Sequence, residues 1–237
     1  MPLQAVEPQR LYRQIAEQLR GLIQRGEFPA GSRLPAERDL AKQLGVSRPS
    51  VREALIALEV EGWVEVRTGS GVYVLERHGR KNGDSAIPAT EWGPLELLRA
   101  RRVLEGEIAS LAALQGKRRQ VDAIGDAITA MHRDCDAGIE PRAGDRAFHV
   151  AVANAAGNVV LLETVQTFWD ARRGPLFETL GGHFESVPSW RKAIAEHELV
   201  YEAIRAHDAD AARDAMRHHL DKAHSRFSAS WRRANGS

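Results

Sequence analysis

The chain has 237 residues, of which 43% are hydrophobic and 27% are charged. This composition is typical of a globular protein large enough for two modest domains. The formal net charge of +1 argues against a protein that coats nucleic acid or membrane by bulk electrostatics. No apolar run approaches the roughly 20 residues that cross a membrane, and the first residues lack the order of a signal peptide. The single cysteine, Cys135, cannot form an internal disulfide, so we expect a reduced, cytoplasmic protein with an inert thiol.

The N-terminal part of the chain predicts helices followed by a hairpin. Apolar residues at helical spacing in LYRQIAEQLRGLIQRG predict a first helix that ends near Gly26, and a second helix starts after Pro35 and ends at Gly45. Ser47 is a suitable N-cap for a third helix, SRPSVREALIALEVEG. The stretch WVEVRTGSGVYVL alternates, turns through glycines and alternates again, which predicts a two-stranded hairpin.

The second and third helices are separated by a short turn, which indicates a helix-turn-helix. In that motif the start of the second helix of the pair meets the bases in the major groove. Those positions are held by Arg48, Ser50 and Arg52, and we expect both arginines to project out of the domain, with Arg38 near the same groove. The glycine-rich hairpin tip, residues 68–71, allows close approach to DNA. Acids nearly balance bases here, so a solvated charged face is the alternative that charge alone favours.

The remainder of the chain is predicted to be helical. Residues 76–91 lose all periodicity and are rich in polar, Gly and Pro residues, which is typical of a linker. Helical periodicity then predicts helices near 94–115, 118–136, 141–156, 158–173, 189–206 and 208–230. The predicted fold is mainly α, with a DNA-binding domain at 1–75, a linker at 76–91 and an all-helical bundle at 92–237.

Four polar side chains of the predicted bundle lie on apolar helix faces. Asp145 and His149 in DRAFH share the inward face of one helix, and His197 and His219 occupy the inward faces of two others. A single such histidine is more often a core residue with one hydrogen-bond partner. Burying three imidazoles and a carboxylate together is costly unless they converge, and this donor set suits a divalent metal. A metal site, a proton-transfer pair and a hydrogen-bonded core pair are the alternatives.

The N-terminal residues carry a resemblance to a known family. GSRLPAERDLAKQLGVSRPSVREAL and the following LEVEGWVEVRTGSGVYV resemble the winged helix-turn-helix of GntR-superfamily bacterial transcription regulators, over about residues 11–75. Pro49 stands where many relatives carry a hydroxyl residue, which implies one phosphate contact fewer. The resemblance implies that operator DNA is contacted by Arg38, Arg48, Ser50, Arg52, Thr68 and Gly69.

The C-terminal residues resemble the FCD effector domain of the FadR-type GntR subfamily. The matching segments are RRVLE at 101–105, FHVAVANAAGN at 148–158, HELVYEAI at 197–204 and MRHHL at 216–220. In many relatives an acid and three histidines at these places hold a divalent metal, which implies Asp145, His149, His197 and His219 as ligands. Zinc is the expected metal, with nickel, iron and manganese as alternatives. A small carboxylate effector binds beside that metal in such relatives, which implies Arg101 and, on a weaker match, Arg172 as effector-binding residues.

The resemblance implies a homodimeric repressor that binds a palindromic operator as double-stranded DNA and associates with the nucleoid when bound. The chain is also similar to regulators of hexuronate and related sugar-acid catabolism. Two alternatives stay open: a metal-dependent hydrolase of a small organic acid, and a regulator with an apolar or acyl effector and no metal.

Overall fold

A computed structural model describes residues 10–76, 87 and 91–229. The chain divides into two compact units: Met1–Leu95 with Gly174–Leu180 and Ser228–Ser237, and Glu96–Arg173 with Gly181–Phe227. Most of the predicted linker, at 77–86 and 88–90, lies outside the described residues. Among the helices of the described residues, none combines the length and apolar character needed to span a bilayer.

The first unit contains the predicted helices and hairpin. Its elements are α1 (Leu11–Gln24), α2 (Glu37–Leu44), α3 (Arg48–Val60), β1 (Val64–Arg67) and β2 (Gly71–Val74). The apolar stripe of α1, which includes Ile15 and Leu19, is buried with Val51 and Leu55 of α3 as the two helices pack together. This core holds α3 by its apolar face and leaves its N-terminus at the surface of the unit.

Local chemistry sets the turn between α2 and α3. Gly45 ends α2 in the left-handed conformation, with φ +66°, which a residue with a Cβ adopts at an energetic cost. Ser47 then caps α3, since its Oγ accepts a hydrogen bond from the backbone N–H of Ser50. The antiparallel hairpin pairs Val64 with Val74. The winged helix-turn-helix prediction is confirmed.

The remaining elements of the described chain are all helical, as predicted: α4 (Pro94–Gln115), α5 (Arg118–Asp136), α6 (Arg142–Ala155), α7 (Val159–Ala171), α8 (Pro175–Phe184), α9 (Val187–Arg205) and α10 (Ala209–Phe227). Helix α5 packs on α6 and α9, and α9 packs on α10. Helix α8 has no counterpart in the predicted segments, because it is only 10 residues long and contains two adjacent glycines. Its start is stabilised within the first unit, where the Leu176 N–H donates to the Glu91 carboxylate at 3.0 Å.

Candidate metal centre and DNA-contact residues

Three helices of the second unit bring the four predicted ligands together. Asp145 and His149 lie one turn apart on α6, His197 lies on α9, and His219 lies on α10. All four side chains are buried, and one ligand atom from each lies within 4.8 Å of the others. A metal at ordinary Zn²⁺–N and Zn²⁺–O distances would separate its ligand atoms by about 3–4 Å. The cluster therefore needs only small side-chain adjustments to enclose a divalent ion.

The ring nitrogens of His149 and His197 have no hydrogen-bond partner among the described residues. His197 Nε2 lies 3.3 Å from Asp145 Oδ1, and His149 Nε2 lies 3.6 Å from the same oxygen. Neither contact has hydrogen-bond geometry, and neither ring nitrogen of His197 has a hydrogen-bond partner among the described residues. Buried imidazole nitrogens without partners are rare in folded proteins. A metal ion would satisfy them, so the residues present fit a metal centre.

Two carboxylates lie close to Nδ1 of two of the histidines. His149 Nδ1 lies 2.5 Å from Glu105 Oε2, and His219 Nδ1 lies 3.0 Å from Glu196 Oε2. Each contact engages Nδ1 and leaves Nε2 of the same ring for a metal, as is usual around metal-ligating histidines. The carboxylates are themselves held by guanidinium groups, because Arg101 Nε lies 2.5 Å from Glu105 Oε1 and Arg226 Nη1 lies 2.7 Å from Glu196 Oε1.

Sequence reasoning missed both carboxylates. Glu105 follows Arg101 by four residues on α4, so it shares the inward face of that arginine, and this spacing could have identified it. Glu196 is adjacent to His197 and on helical geometry points away from that histidine. Its partner, His219, lies on another helix, so no local signal in the sequence identifies Glu196.

The pKa directions of Asp145, His197 and His219 favour the protonation states that metal binding requires near neutral pH. Burial alone would raise the pKa of Asp145, but the nearby imidazoles of His149 and His197 and the Arg172 guanidinium hold it well below its usual range. Burial lowers the pKa of His197. It also lowers the pKa of His219 well below its usual range, with help from the neighbouring imidazoles. An ionised carboxylate and neutral imidazoles are the metal-binding forms of these groups.

The two predicted effector arginines line a cavity beside this cluster. The cavity has a volume of about 40 Å³, and its polar wall includes Arg101, Arg172, Glu185, Ser189 and Arg226. Both predicted arginines also contact one indole, since the guanidinium carbons of Arg101 and Arg172 lie 4.6 and 4.0 Å from the ring centroid of Trp169. Arg101 is 1% exposed. It is therefore a constituent of the cavity wall rather than a surface charge.

The predicted DNA-contact residues differ in exposure. The side chains of Arg38 and Arg48 are 72% and 52% exposed, and Gly69 lies exposed in the hairpin turn beside Thr68. Ser50 is buried, and its Oγ lies 2.9 Å from Ser47 Oγ. These positions leave the DNA-contact assignments as predictions.

Arg52 does not project out of the domain, and that part of the prediction is wrong. Its side chain is 2% exposed, and it donates two hydrogen bonds to the Glu37 carboxylate, at 2.7 and 2.6 Å. Helical spacing places Arg52 on the flank of the apolar stripe of α3, but it cannot show that α2 presents a carboxylate to that flank. A DNA contact by Arg52 would require it to leave this ion pair.

Comparisons with known proteins identify both units by sequence. Residues 11–74 match the family of bacterial regulatory proteins designated gntR, and residues 96–222 match the FCD domain. The chain is 37% identical over 228 residues to the Uxu operon transcriptional regulator of Escherichia coli K12, covering 94% of this chain and 89% of that protein. It is also 37% identical over 224 residues to the Exu regulon transcriptional regulator of the same organism, covering 92% and 85%.

A solved structure supports the fold. The Listeria monocytogenes protein Lar, described as controlling expression of the agr system, superposes with a TM-score of 0.51 at 18% identity. The match covers 94% of this chain and 98% of Lar. At this level of identity the likeness concerns the fold alone.

Proposed function

The chain belongs to the GntR family of bacterial regulatory proteins and is a transcription regulator with an FCD domain, and from this premise we propose that it is a repressor controlled by a sugar acid at a metal centre. The observation that carries the proposal is the buried cluster of one carboxylate and three imidazoles beside an arginine-lined cavity. Unpartnered polar groups are costly in a helical core, and a bound metal would remove that cost.

The residues that would hold the metal are Asp145, His149, His197 and His219. A bound divalent ion would supply a positive charge that attracts a carboxylate. Arg101 would add charge from the cavity wall, and Arg172, whose Nη1 lies 3.2 Å from Asp145 Oδ2, can donate further hydrogen bonds to an acid. Zinc suits this nitrogen-rich set, and nickel, iron or manganese would suit it as well.

The effector class follows from the relatives and from the cavity wall. The two relatives reported above regulate the Uxu operon and the Exu regulon, which supports a hexuronate or related sugar acid. Ser189 and Glu185 could meet hydroxyl groups of such a ligand. At about 40 Å³, the cavity has room for a few water molecules at most. A sugar acid would therefore require the wall to open, and this difference between ligand-free and ligand-bound forms is what a switch needs.

On the DNA side, we propose that the operator is contacted by Arg38, Arg48, Ser50, Thr68 and Gly69, and by Arg52 on leaving its ion pair with Glu37. A homodimer of this chain would place two copies of α3 on a palindromic site, with half-sites about one helical turn apart. The protein would then act in the cytoplasm and on the nucleoid.

The hydrolase alternative needs a general base that is free to take a proton from water. Besides Asp145, the carboxylates of Glu105 and Glu196 contact histidines of the cluster, and each of these two is also engaged by an arginine. Within the described residues these contacts favour a binding role for both carboxylates over a catalytic one.

A thermal-shift experiment on the full chain tests the proposal. Protein stripped with a chelator is reloaded with Zn²⁺ and titrated with D-galacturonate, D-glucuronate and L-lactate. We expect a hexuronate to raise Tm only in the metal-loaded protein, and to release the protein from DNA fragments that it selects from random sequence. Equal stabilisation of the stripped protein would overturn the role of the metal, and turnover of the acid would favour a hydrolase.

Matched histidine variants test whether zinc binding and the response to the acid depend on the proposed ligands. His149→Ala removes a proposed ligand, whereas His132→Ala removes a half-exposed histidine that pairs with Glu198 away from the cluster. Only His149→Ala should abolish both zinc binding and the metal-dependent response to the acid. Retention of zinc by His149→Ala at wild-type affinity would refute the assigned site.

A further inference from the structure

Arg33 holds an exposed positive charge on a rigid stretch of backbone at the base of the hairpin. The preceding and following residues hydrogen-bond to β2, with the Leu34 N–H donating to the Val72 carbonyl at 2.9 Å and the Val74 N–H donating to the Ser32 carbonyl at 2.9 Å. Arg33 itself forms an antiparallel bridge with Tyr73. These contacts fix the Cα of Arg33 beside the hairpin, while its side chain is exposed.

The guanidinium of Arg33 packs directly on Gly71. A Cβ on residue 71 would lie 2.5 Å from Arg33 Nε and 3.0 Å from its Cζ, and Gly71 has φ +138°. A larger residue would collide with the arginine and would be strained in this backbone conformation. The glycine at the start of β2 therefore provides the space that the Arg33 guanidinium occupies.

Arg33 is also not paired with any acid that the structure describes. It forms no hydrogen bond or ion pair with any described residue, and it lines a cleft of about 290 Å³ together with Arg38 and Arg48. The other two arginines have carboxylates nearby: Arg38 Nε lies 3.4 Å from Asp39, and Arg48 Nη2 lies 3.9 Å from Glu37. The cleft thus joins the start of α3 to the hairpin, and its Arg33 has no carboxylate within ion-pair distance among the described residues.

We propose that Arg33 binds a phosphate of the DNA backbone, between the groove entered by α3 and the position of the hairpin. A guanidinium presents forked donors that match phosphate oxygens, and this one need not leave an ion pair to do so. The contact would fix the register of the protein on DNA without reading sequence. The inference rests on DNA binding by this chain and adds a residue outside the set assigned above.

The test compares Arg33→Ala, Arg33→Lys and wild-type full-length protein by fluorescence anisotropy. The probes are a random-sequence duplex and a duplex that the protein selects from random DNA, at salt concentrations from about 0.05 to about 0.3 M. Losing one phosphate contact should weaken binding about fivefold at about 0.15 M salt on both duplexes and reduce the slope of log K against log salt by about 1. Arg33→Lys should keep the slope, because it keeps the charge.

Arg25→Ala is the matched control, since Arg25 is an exposed arginine of the same unit that pairs with Glu27 and does not line the cleft. It should bind both duplexes as the wild type does. Unchanged affinity and slope in Arg33→Ala would overturn the proposal, as would a loss confined to the selected duplex. Failure of the wild-type protein to bind any duplex would instead overturn the DNA-binding premise.

Discussion

The buried ion pair between Arg52 and Glu37 leads to a prediction that separates folding from DNA recognition. Arg52→Ala would leave the Glu37 carboxylate, which is 7% exposed, without the two hydrogen bonds that Arg52 donates to it. Removing one partner of a buried pair costs about 3–5 kcal/mol. Arg48→Ala, at a side chain that is 52% exposed, should change the free energy of unfolding by less than about 0.5 kcal/mol.

Urea unfolding of the full chain, followed by circular dichroism, measures this difference. With an m-value of about 2 kcal/mol/M, a loss of about 4 kcal/mol lowers the midpoint of the transition of the first unit by about 2 M. The double variant Glu37→Leu/Arg52→Met replaces the pair by apolar side chains and should recover most of the lost stability, because an apolar replacement avoids the unpaired buried charge.

DNA binding by the same variants then assigns the role of each arginine. Arg48→Ala should weaken DNA binding while the protein stays folded. If the stable double variant binds DNA normally, Arg52 acts by holding α2 against α3; if it does not, Arg52 itself reaches DNA. An Arg52→Ala protein that unfolds at the wild-type midpoint would refute the reasoning, because the ion pair would then contribute nothing to stability.

Three further predictions concern the metal centre. Glu196→Gln should lower zinc affinity about tenfold or more, because the Glu196 carboxylate orients His219. Glu198→Gln, at an exposed position, should leave zinc affinity unchanged. Equal zinc affinities of the two variants, measured by competition with a chromogenic chelator, would contradict the role of Glu196. Lowering the pH from 7.5 to 5.5 should destabilise the metal-free protein by about 1 kcal/mol through His219, because burial keeps this imidazole neutral in the folded state while the unfolded chain takes up a proton below about pH 6.5. In urea titrations, the stability of His219→Gln should lack the pH dependence that His219 contributes. A pH profile identical to that of the wild type would refute the assignment to His219. Free zinc at about 100 times its Kd should stabilise the wild type by about 2.7 kcal/mol. In the same titrations, zinc should stabilise His197→Gln by much less.

Much of the fold could be predicted because it depends on local chemistry. The period of apolar residues in α1, α5 and α9 identifies helices and their buried faces, and Ser47 and Gly45 mark helix ends through hydrogen bonding and φ angle. Helix α8 escapes prediction because its adjacent glycines weaken the pattern in a short segment. Periodicity states which side of a helix is buried but not which residue it meets there.

The same distinction applies to the candidate site. The sequence alone placed Asp145, His149, His197 and His219 on inward faces, and resemblance implied that they belong together. Only the tertiary structure showed that their ligand atoms lie within 4.8 Å, that Glu105 and Glu196 lie against two of the rings, and that the adjoining cavity is small. Such contacts join residues far apart in the chain, so they depend on how the helices pack.

The arginines of the first unit show most clearly which properties the sequence cannot predict. Their charges, and the predicted location of Arg48 and Arg52 at the start of one helix, are properties of the sequence. Whether a guanidinium is available to DNA depends on its neighbours: α2 supplies Glu37 to bury Arg52, while the guanidinium of Arg33 packs on Gly71 of the hairpin and stays exposed. Sequence determined the charges and the helices that carry them; tertiary packing decided which charges are neutralised, because an ion pair requires two groups to meet in space.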